Sequence, residues 1–376
     1  MREFVWLYDR GVNEFLKATD SLLPSISIAC APACMFRCPH CIYGSVSVEK
    51  FVDPATLTLD EKLEILRQAA DMGAKTLQIC HEGEPFIDST TLPMIREASK
   101  LGMETFIYTT AADITPDIAS ELYSIGVCLG VHCDSLRPDI FNKMLGGRGA
   151  EAVYGGIRNL LNVGYNKPFR KNEKLYTRLG LVCTLTSLNT ADIEVVKEVA
   201  QFSWRNGLFF CAARLEKGGR AVSDMWDRFR IKDSQKIIDF IEWCSQQTGI
   251  NYWHAQPAPY CVGVCGLHIG HSGDVWVTAY GGSCDFTEPD GESFPEKLPI
   301  IGNVRKEGLP AIVAKLWEIR RGLVSDGTLD KKLADYMATK DIYPNGLQDC
   351  GSARTHTLFQ PFHEYVTRMV GKMANP

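Results

Sequence analysis

The alternation of apolar and polar positions predicts repeated strand–helix units over the first two thirds of the chain. Short runs rich in Ile, Val, Leu and Cys predict strands at 26–30, 76–80, 104–108, 127–133, 177–185 and 208–213. Amphipathic segments between them predict helices at about 58–73, 90–101, 116–125, 150–163, 191–205 and 233–247. Because such alternation produces a parallel sheet with helices outside, the expected fold class is α/β.

Two of these helices begin with explicit start signals. Thr58-Leu-Asp-Glu61 is a capping box, and Thr115-Pro116 places proline at the first helical position. The helix that follows Thr58 is predicted to bury one face, made of Leu59, Leu63, Leu66 and Ala70.

The pattern changes at both ends of the chain. Residues 3–18 are amphipathic and predict a lead-in helix that Pro24 ends, while Gly and Pro become more frequent past about residue 250. We therefore divide the chain into a lead-in helix (1–24), a strand–helix domain (25–250), a loop-rich cysteine module (251–352) and a C-terminal helix (353–376).

Composition and charge exclude several classes of protein. A net charge of −5 and a pI near 6.0 provide no bulk attraction to nucleic acid or acidic membranes. No apolar stretch approaches the roughly 20 residues that span a bilayer, and residues 1–6 do not resemble a signal peptide. Fourteen cysteines in such a chain indicate a reducing cytoplasm and metal binding or catalysis, not disulfides.

Three cysteines lie together just after the first predicted strand, Cys34, Cys38 and Cys41, in the spacing C-x3-C-x2-C. Three thiolates can hold three corners of a [4Fe–4S] cluster and leave one iron open for another ligand. Zinc, the alternative, would normally require a fourth ligand, and none follows Cys41 closely. The overlapping set that starts at Cys30 uses a strand residue and leaves Cys41 without a role.

This spacing resembles the radical SAM family, in which the open iron binds S-adenosylmethionine (SAM). The resemblance covers about residues 25–213 and includes further motifs at the ends of the predicted strands. His81-Glu-Gly-Glu-Pro85 looks like the family's GGEP motif, and Thr109-Thr110-Ala111 stands where the family usually has Thr-Asn-Gly. The resemblance implies a partial (β/α)6 TIM barrel whose site lies at the C-terminal ends of the strands.

The resemblance also assigns SAM contacts near the cysteines. Glu84 would hold the SAM ammonium, with a solvated acidic loop as the alternative, and the neighbouring Gly83 and Pro85 of the motif are also assigned to cofactor binding. His40 stands where the family usually has an aromatic residue that packs near adenine, although it could be an ordinary loop histidine.

More distant strand ends supply the remaining predicted contacts. His132, Asp134 and Ser135 follow the fourth strand, where the family places ribose contacts. Asn189 resembles a polar residue that follows the fifth strand, but it could instead cap the next helix.

A second cysteine set lies in the C-terminal module. Cys261-x3-Cys265, a Gly273-Asp-Val hairpin and Cys284 are similar in order to the SPASM and twitch extensions of the family, but Thr278 occupies a position where those proteins have cysteine. The interpretation that we favour is one auxiliary [4Fe–4S] cluster held by Cys261, Cys265, Cys284 and Cys350.

Two alternatives for these cysteines stay open. Cys261 and Cys265 could bind zinc with His268 and His271, or the cysteines could simply be buried. Burial is the default interpretation for the cysteines in strand-like runs, namely Cys80, Cys128, Cys133, Cys183 and Cys211.

The resemblance implies an enzyme that cleaves SAM reductively and abstracts hydrogen from a small molecule such as a sugar, an aminocyclitol or another natural-product precursor. The outcome would be oxidation or epimerisation, with flavodoxin or ferredoxin as electron donor and the auxiliary cluster as electron acceptor. A maturase of a ribosomal peptide or protein is the alternative, although the 33 residues before Cys34 are too few for the usual peptide-binding domain. An iron–sulfur electron carrier or a TIM-barrel enzyme without a cluster explains fewer of the motifs.

Overall fold

A computed structural model describes residues 5–6, 23, 25–48, 53–79, 82–171, 174–215, 218–248, 267–276 and 300–325. The strands of these segments are β1 (Val5–Trp6), β2 (Ser25–Ile28), β3 (Ala33–Cys34), β4 (Val46–Ser47), β5 (Thr76–Ile79), β6 (Glu104–Thr109), β7 (Cys128–His132), β8 (Phe169–Lys171), β9 (Lys174–Thr177), β10 (Leu179–Leu185), β11 (Phe209–Arg214), β12 (Leu267–Ile269), β13 (Asp274–Trp276) and β14 (Gly302–Asn303). The α-helices are α1 (Leu59–Asp71), α2 (Thr91–Lys100), α3 (Pro116–Ile125), α4 (Pro138–Leu145), α5 (Ala150–Val163), α6 (Ser187–Thr190), α7 (Glu194–Arg205), α8 (Ser223–Phe229), α9 (Ser234–Thr248) and α10 (Val304–Ser325).

Six parallel strands form the centre of the fold in the order β2-β5-β6-β7-β10-β11. Their sequence order equals their spatial order, and α1, α2, α3, α5 and α7 lie in the connections between them. This arrangement confirms the predicted α/β class and the partial (β/α)6 barrel. The C-terminal ends of the six strands lie along one rim, where the loops that carry the sequence motifs begin.

The two faces of the sheet bury different side chains because strand residues alternate in direction. One face, which includes Ile107, Leu129 and Leu181, packs into the large core under the helices. The other face carries Phe106, Cys128, Val182 and Cys211 in a smaller cluster. The predicted burial of Cys128, Cys133, Cys183 and Cys211 is confirmed, whereas Cys80 lies outside the described residues.

The sheet continues beyond β2 into the C-terminal part of the chain. β12 pairs in parallel with β2, and β13 and β14 add antiparallel strands outside it. Residues 267–276, assigned from sequence to a separate module, are therefore hydrogen-bonded to the barrel sheet. Cys261, Cys265, Cys284 and Cys350 lie outside the described residues, as does the helix predicted over 353–376.

Some predictions of individual helices and strands are confirmed and others are not. Both helix starts are confirmed, with the Thr58–Glu61 capping box and Pro116 after the Thr115 cap. Within the predicted lead-in helix, Val5–Trp6 is instead a strand that pairs with β9. The β8–β9 hairpin and α4 had no counterpart in the sequence prediction.

The buried face of α1 was predicted incorrectly in part. It consists of Lys62, Ile65, Leu66 and Ala69. The face is rotated toward Lys62 because the Lys62 ammonium, fully buried, donates to Asp88 at 2.9 Å and to Thr90 at 2.8 Å. In the described segments, we find no helix with the length and hydropathy needed to cross a membrane.

Candidate functional site

The cysteine loop between β2 and α1 presents three thiols at half-buried positions. Cys34, Cys38 and Cys41 are all partly exposed, whereas Cys30 is fully buried in the core. The loop is anchored by the pairing of β3 with β4 and by the Cys41 amide, which donates to the Cys38 carbonyl at 3.1 Å. This difference in exposure supports the set that begins at Cys34.

The surroundings of Cys34 and Cys38 disfavour free thiolates. Burial raises the pKa of Cys34 to about 11, and burial together with the neighbouring Cys41 raises the pKa of Cys38. A metal centre reverses this preference, because a coordinating thiol loses its proton outright. These cysteines are therefore expected to be protonated without a metal centre and deprotonated when one is bound.

Arg220, which follows β11, donates hydrogen bonds to three carbonyls of this loop. Its backbone amide donates to the Cys41 carbonyl at 2.9 Å, Nε donates to the Cys38 carbonyl at 2.9 Å, and Nη1 donates to the Ser45 carbonyl at 2.6 Å. Arg37 Nη1 donates to the same Ser45 oxygen at 2.5 Å. The guanidinium of Arg220 opposes the rise in pKa of Cys34 and Cys38, so it places positive charge where thiolates would form.

The spread of the three sulfurs fits a cluster better than a single zinc ion. Sulfurs about 2.3 Å from one tetrahedral zinc lie about 3.8 Å apart. Cys34, Cys38 and Cys41 do not bring their three sulfurs within 4.8 Å of one another; among the described residues only His40, His132 and Asp134 bring three potential ligand atoms that close. A [4Fe–4S] cluster spreads its thiolate ligands over separate irons.

Gly83 and Glu84 pack directly against the cysteine loop. A Cβ on Gly83 would lie 2.0 Å from the Ala31 carbonyl oxygen, so no larger residue fits, and the Glu84 amide donates to the Ala33 carbonyl at 2.8 Å. The Glu84 carboxylate is buried and accepts hydrogen bonds from Thr109 Oγ1 and from Thr110 N and Oγ1, the latter two at 2.8 Å. Burial raises the pKa of Glu84, and no Lys or Arg forms an ion pair with it among the described residues.

Two non-glycine residues adopt positive φ in the described segments, and both lie at this site. Glu82 has φ 66° and Ala111 has φ 63°. An L-residue in this region costs roughly 1–2 kcal/mol. Both stand where the motifs GGEP and Thr-Asn-Gly have glycine, so the backbone geometry supports the alignment of both motifs.

A buried carboxylate with two histidines lies at the end of β7. His132 Nε2 is 2.8 Å and His40 Nε2 is 3.3 Å from Asp134 Oδ2, and the two imidazole rings are 5.7 Å apart. Burial would lower the pKa of His132, but the Asp134 carboxylate outweighs it, so the pKa is raised. Burial likewise opposes ionisation of Asp134, yet His132 and His40 hold its pKa well below the ordinary value.

Ser135 and Asn189 are used within the protein. Ser135 Oγ accepts from the Arg137 amide at 3.0 Å. Asn189 is fully buried; its Oδ1 accepts from the Thr186 amide at 2.8 Å, and Nδ2 donates to the Asp134 carbonyl at 3.0 Å. Asn189 thus closes the capping box of α6, the short helix that contains it, whereas the cap position of the next helix, α7, is Ile193. A direct contact of Asn189 with a cofactor stays a prediction.

The sequence analysis did not recognise Glu82, Asp53 and His271 as a group. His271 lies between two carboxylates, with Nδ1 2.5 Å from Glu82 Oε2 and Nε2 2.9 Å from Asp53 Oδ2. His268 is buried on β12, with Nδ1 3.1 Å from Ser27 Oγ, and burial lowers its pKa to about 4. These contacts argue against the zinc site that would have used both histidines.

Comparison with known proteins agrees with the fold and the motifs. Residues 28–173 match the family model described as the radical SAM superfamily. The chain is 29% identical over 153 residues to the GTP 3′,8-cyclase of Picosynechococcus sp. (39% of this chain, 46% of the relative), and 29% identical over 137 residues to that of Geobacter sulfurreducens (36% and 41%). The match thus spans about half, or less, of these relatives.

Solved structures with a similar fold include SAM-binding proteins. Histidine-tagged anSMEcpe with bound AdoMet has a TM-score of 0.57 at 10% identity, covering 94% of this chain and 95% of that chain. Streptococcus suis SuiB bound to the precursor peptide SuiA has a TM-score of 0.52 at 16% identity, covering 72% and 62%. At such identities the similarity shows the fold alone.

Proposed function

We propose that this chain, whose residues 28–173 match the family model of the radical SAM superfamily, cleaves SAM reductively and acts on a small-molecule substrate. The family uses a [4Fe–4S] cluster and SAM, which together supply a 5′-deoxyadenosyl radical that abstracts hydrogen. In this proposal Cys34, Cys38 and Cys41 hold the cluster. The observation that carries it is the juxtaposition of this loop with the buried Glu84, whose amide donates to Ala33.

Glu84 is the group proposed to take the SAM ammonium. Its carboxylate is buried, is oriented by Thr109 and Thr110, and has no Lys or Arg partner in the described structure. Leaving such a carboxylate without a cation is costly, so a bound ammonium would relieve the cost and restore ionisation. Gly83 and Pro85 shape the backbone on either side of it.

His132 is proposed to contact the SAM ribose as a hydrogen-bond donor. Asp134 orients its ring, and at one third exposed the His132 side chain is the most accessible member of the group. His40, buried 5.7 Å from the His132 ring, is proposed to pack near adenine.

A small-molecule substrate is supported by relatives named GTP 3′,8-cyclases, of which that of Picosynechococcus sp. is 29% identical over 39% of this chain. We propose a net oxidation or epimerisation, with a low-potential flavodoxin or ferredoxin as electron donor. An auxiliary [4Fe–4S] cluster on Cys261, Cys265, Cys284 and Cys350 would receive the substrate electron.

Anaerobic reconstitution with iron and sulfide tests the cofactor assignment. The reduced protein is expected to release 5′-deoxyadenosine from SAM, and a Cys34→Ala/Cys38→Ala/Cys41→Ala variant is expected to lose about four irons, one cluster, and all cleavage. If the variant retains its iron or its cleavage activity, the cluster lies elsewhere and the assignment is wrong.

The substrate class is tested with three additions to the reconstituted enzyme: GTP, a small-molecule extract and a peptide fraction. Each is added separately, once deuterated and once with ordinary hydrogen. Transfer of deuterium to 5′-deoxyadenosine from a small molecule supports the proposal. Transfer only from the peptide fraction would favour the maturase alternative.

A further inference from the structure

Glu82 holds an unfavourable backbone conformation immediately before the Gly83–Glu84 segment. Its φ of 66° lies in the left-handed region, which side-chain-bearing residues rarely adopt. Such conformations persist only when surrounding contacts hold them. The contacts that hold Glu82 come from a distant part of the sequence.

His271, in the turn between β12 and β13, supplies those contacts. Its backbone amide donates to Glu82 Oε2 at 3.2 Å, and its ring Nδ1 lies 2.5 Å from the same oxygen. The other ring nitrogen, Nε2, is 2.9 Å from Asp53 Oδ2. Ionised carboxylates only accept hydrogen bonds, so this placement favours a proton on each ring nitrogen of His271. The hydrogen bond to Glu82 raises the pKa of His271 accordingly.

The segment after Glu82 has little freedom of its own. Gly83 packs against the backbone of Ala31 and Ala33, and Glu84 N donates to Ala33 O. A change of φ at Glu82 would therefore have to shift Gly83 and Glu84 relative to the cysteine loop. The backbone conformation of Glu82 is therefore coupled to the position of the Glu84 carboxylate.

We propose that the Glu82–His271–Asp53 clamp positions Gly83 and Glu84 for SAM, which makes the β12–β13 turn a functional part of the SAM site. Glu82 and His271 are positioning residues that act through Glu84. The inference rests on the proposed function, because it assumes that SAM binds at Glu84.

The inference is tested by titrating SAM into the reduced, reconstituted protein and following the change in the electron paramagnetic resonance (EPR) signal of the cluster. His271→Leu removes both ring contacts of the clamp and leaves only the backbone amide bonded to Glu82. The SAM dissociation constant is expected to rise about tenfold, which corresponds to about 1.4 kcal/mol. Glu82→Gly removes the strain, so Glu82→Gly/His271→Leu is expected to recover most of the lost affinity. If the role of His271 were purely structural, adding Glu82→Gly to His271→Leu would not restore SAM affinity.

Asp274→Asn is the matched control, because Asp274 lies on the same hairpin but contacts Ser272 and Asn303, not Glu82. It is expected to leave SAM affinity unchanged. Iron content and melting temperature of every variant verify the fold. If His271→Leu does not fold, the milder Glu82→Gln must show weaker SAM binding.

Unchanged affinity in His271→Leu, or in Glu82→Gln where His271→Leu is unfolded, would overturn the proposal. Failure of the double variant to recover affinity would also overturn it. If SAM does not alter the EPR signal of the wild-type protein at all, the proposed function fails first, and this result is distinguishable from a failure of the clamp.

Discussion

At the scale of single residues, two buried carboxylates in the same rim have opposite ionisation preferences. The pKa of Glu84 is raised by burial, whereas that of Asp134 is lowered because two histidines face it. Environments that shift the pKa values of two carboxylates in opposite directions suit the two groups to different roles. Glu84 suits a cationic ligand that arrives from outside, and Asp134 suits permanent orientation of His132.

Glu84→Gln should weaken SAM binding while the cluster is retained. Hydrogen bonds to charged groups contribute about 1.5–3 kcal/mol, which corresponds to roughly a 10- to 150-fold rise in the dissociation constant. The melting temperature of the SAM-free protein should not fall, because burial already disfavours the charged form. EPR titration with SAM measures the SAM affinity, and iron analysis measures retention of the cluster. Unchanged SAM affinity would exclude this role for Glu84.

Arg220→Gln should lower the reduction potential of the cluster, because it removes a positive charge beside the ligating loop. Each tenfold change in the one-electron equilibrium corresponds to about 59 mV. Redox titration followed by EPR measures the shift, with Arg96→Gln, at an ion pair with Glu121 on α3, as the control. Equal reduction potentials in the wild type, Arg220→Gln and Arg96→Gln would show that Arg220 stabilises the conformation of the loop without affecting the cluster potential.

The sequence revealed the cysteines and Glu84 because each belongs to a short local motif. Arg220 was missed because its bond to the Cys38 carbonyl spans 182 positions, and Glu82 was missed because its partner His271 lies 189 positions away. Only the fold brings such pairs together, and no local spacing indicates them.

At the scale of elements, α1 supports the cysteine loop through a buried ion pair. Lys62 on α1 binds Asp88, and the other contact of that Asp88 oxygen is the Ala31 amide, at 2.9 Å. Burial opposes the charge on Asp88, but Lys62 and Thr90 outweigh it and lower its pKa. The helix, the Gly-Glu-Pro loop and the start of the cysteine loop thus share one network.

Lys62→Met should destabilise the protein by about 3–5 kcal/mol, because it leaves a buried carboxylate without its cation. Urea unfolding of the metal-free protein measures this loss. The double variant Lys62→Met/Asp88→Leu should be closer to wild type than Lys62→Met alone. A single variant within 1 kcal/mol of wild type, well inside the roughly 3–5 kcal/mol expected, would contradict the network.

Acid should weaken the contact between α1 and α10. Glu61 accepts from Arg305 Nε at 2.6 Å and Nη2 at 2.8 Å, and Arg305 lowers the pKa of Glu61 to about 2. A depressed pKa contributes stability above the ordinary value of 4.5 that is lost as the pH falls toward 2. Glu61→Gln keeps the capping box but removes the charge.

Melting temperatures measured between pH 5 and about pH 3 should therefore fall more steeply for wild type than for Glu61→Gln. Because the pair is about one third exposed, the difference should be modest, about 0.2–1 kcal/mol. Parallel curves for the two proteins would refute the linkage.

Elements were predicted well where the pattern was long and regular. The six barrel strands and the helices at 116–125 and 150–163 follow from apolar periodicity and caps. The buried face of α1 was predicted incorrectly because lysine is a polar residue and was not expected to be buried. The pairing of β12 with β2 was not predicted because parallel pairing across 241 positions leaves no local signal in the sequence.

At the scale of the whole molecule, the half-barrel is extended at its β2 edge by β12, β13 and β14. That extension brings the turn with His271 to Glu82, so residues 267–276 and the Gly-Glu-Pro loop are in direct contact. The substrate class did not follow from the sequence, because family motifs specify the shared cofactor chemistry and leave substrate contacts free.

SAM is proposed to bind directly to the open iron of a cluster held by Cys34, Cys38 and Cys41. The most direct measurement is pulsed EPR of the reduced protein with SAM labelled at its amino nitrogen or carboxylate oxygen. We predict hyperfine coupling between the label and the cluster, lost in the triple cysteine variant. A cluster signal without such coupling, unchanged by SAM, would show that SAM does not bind to this cluster.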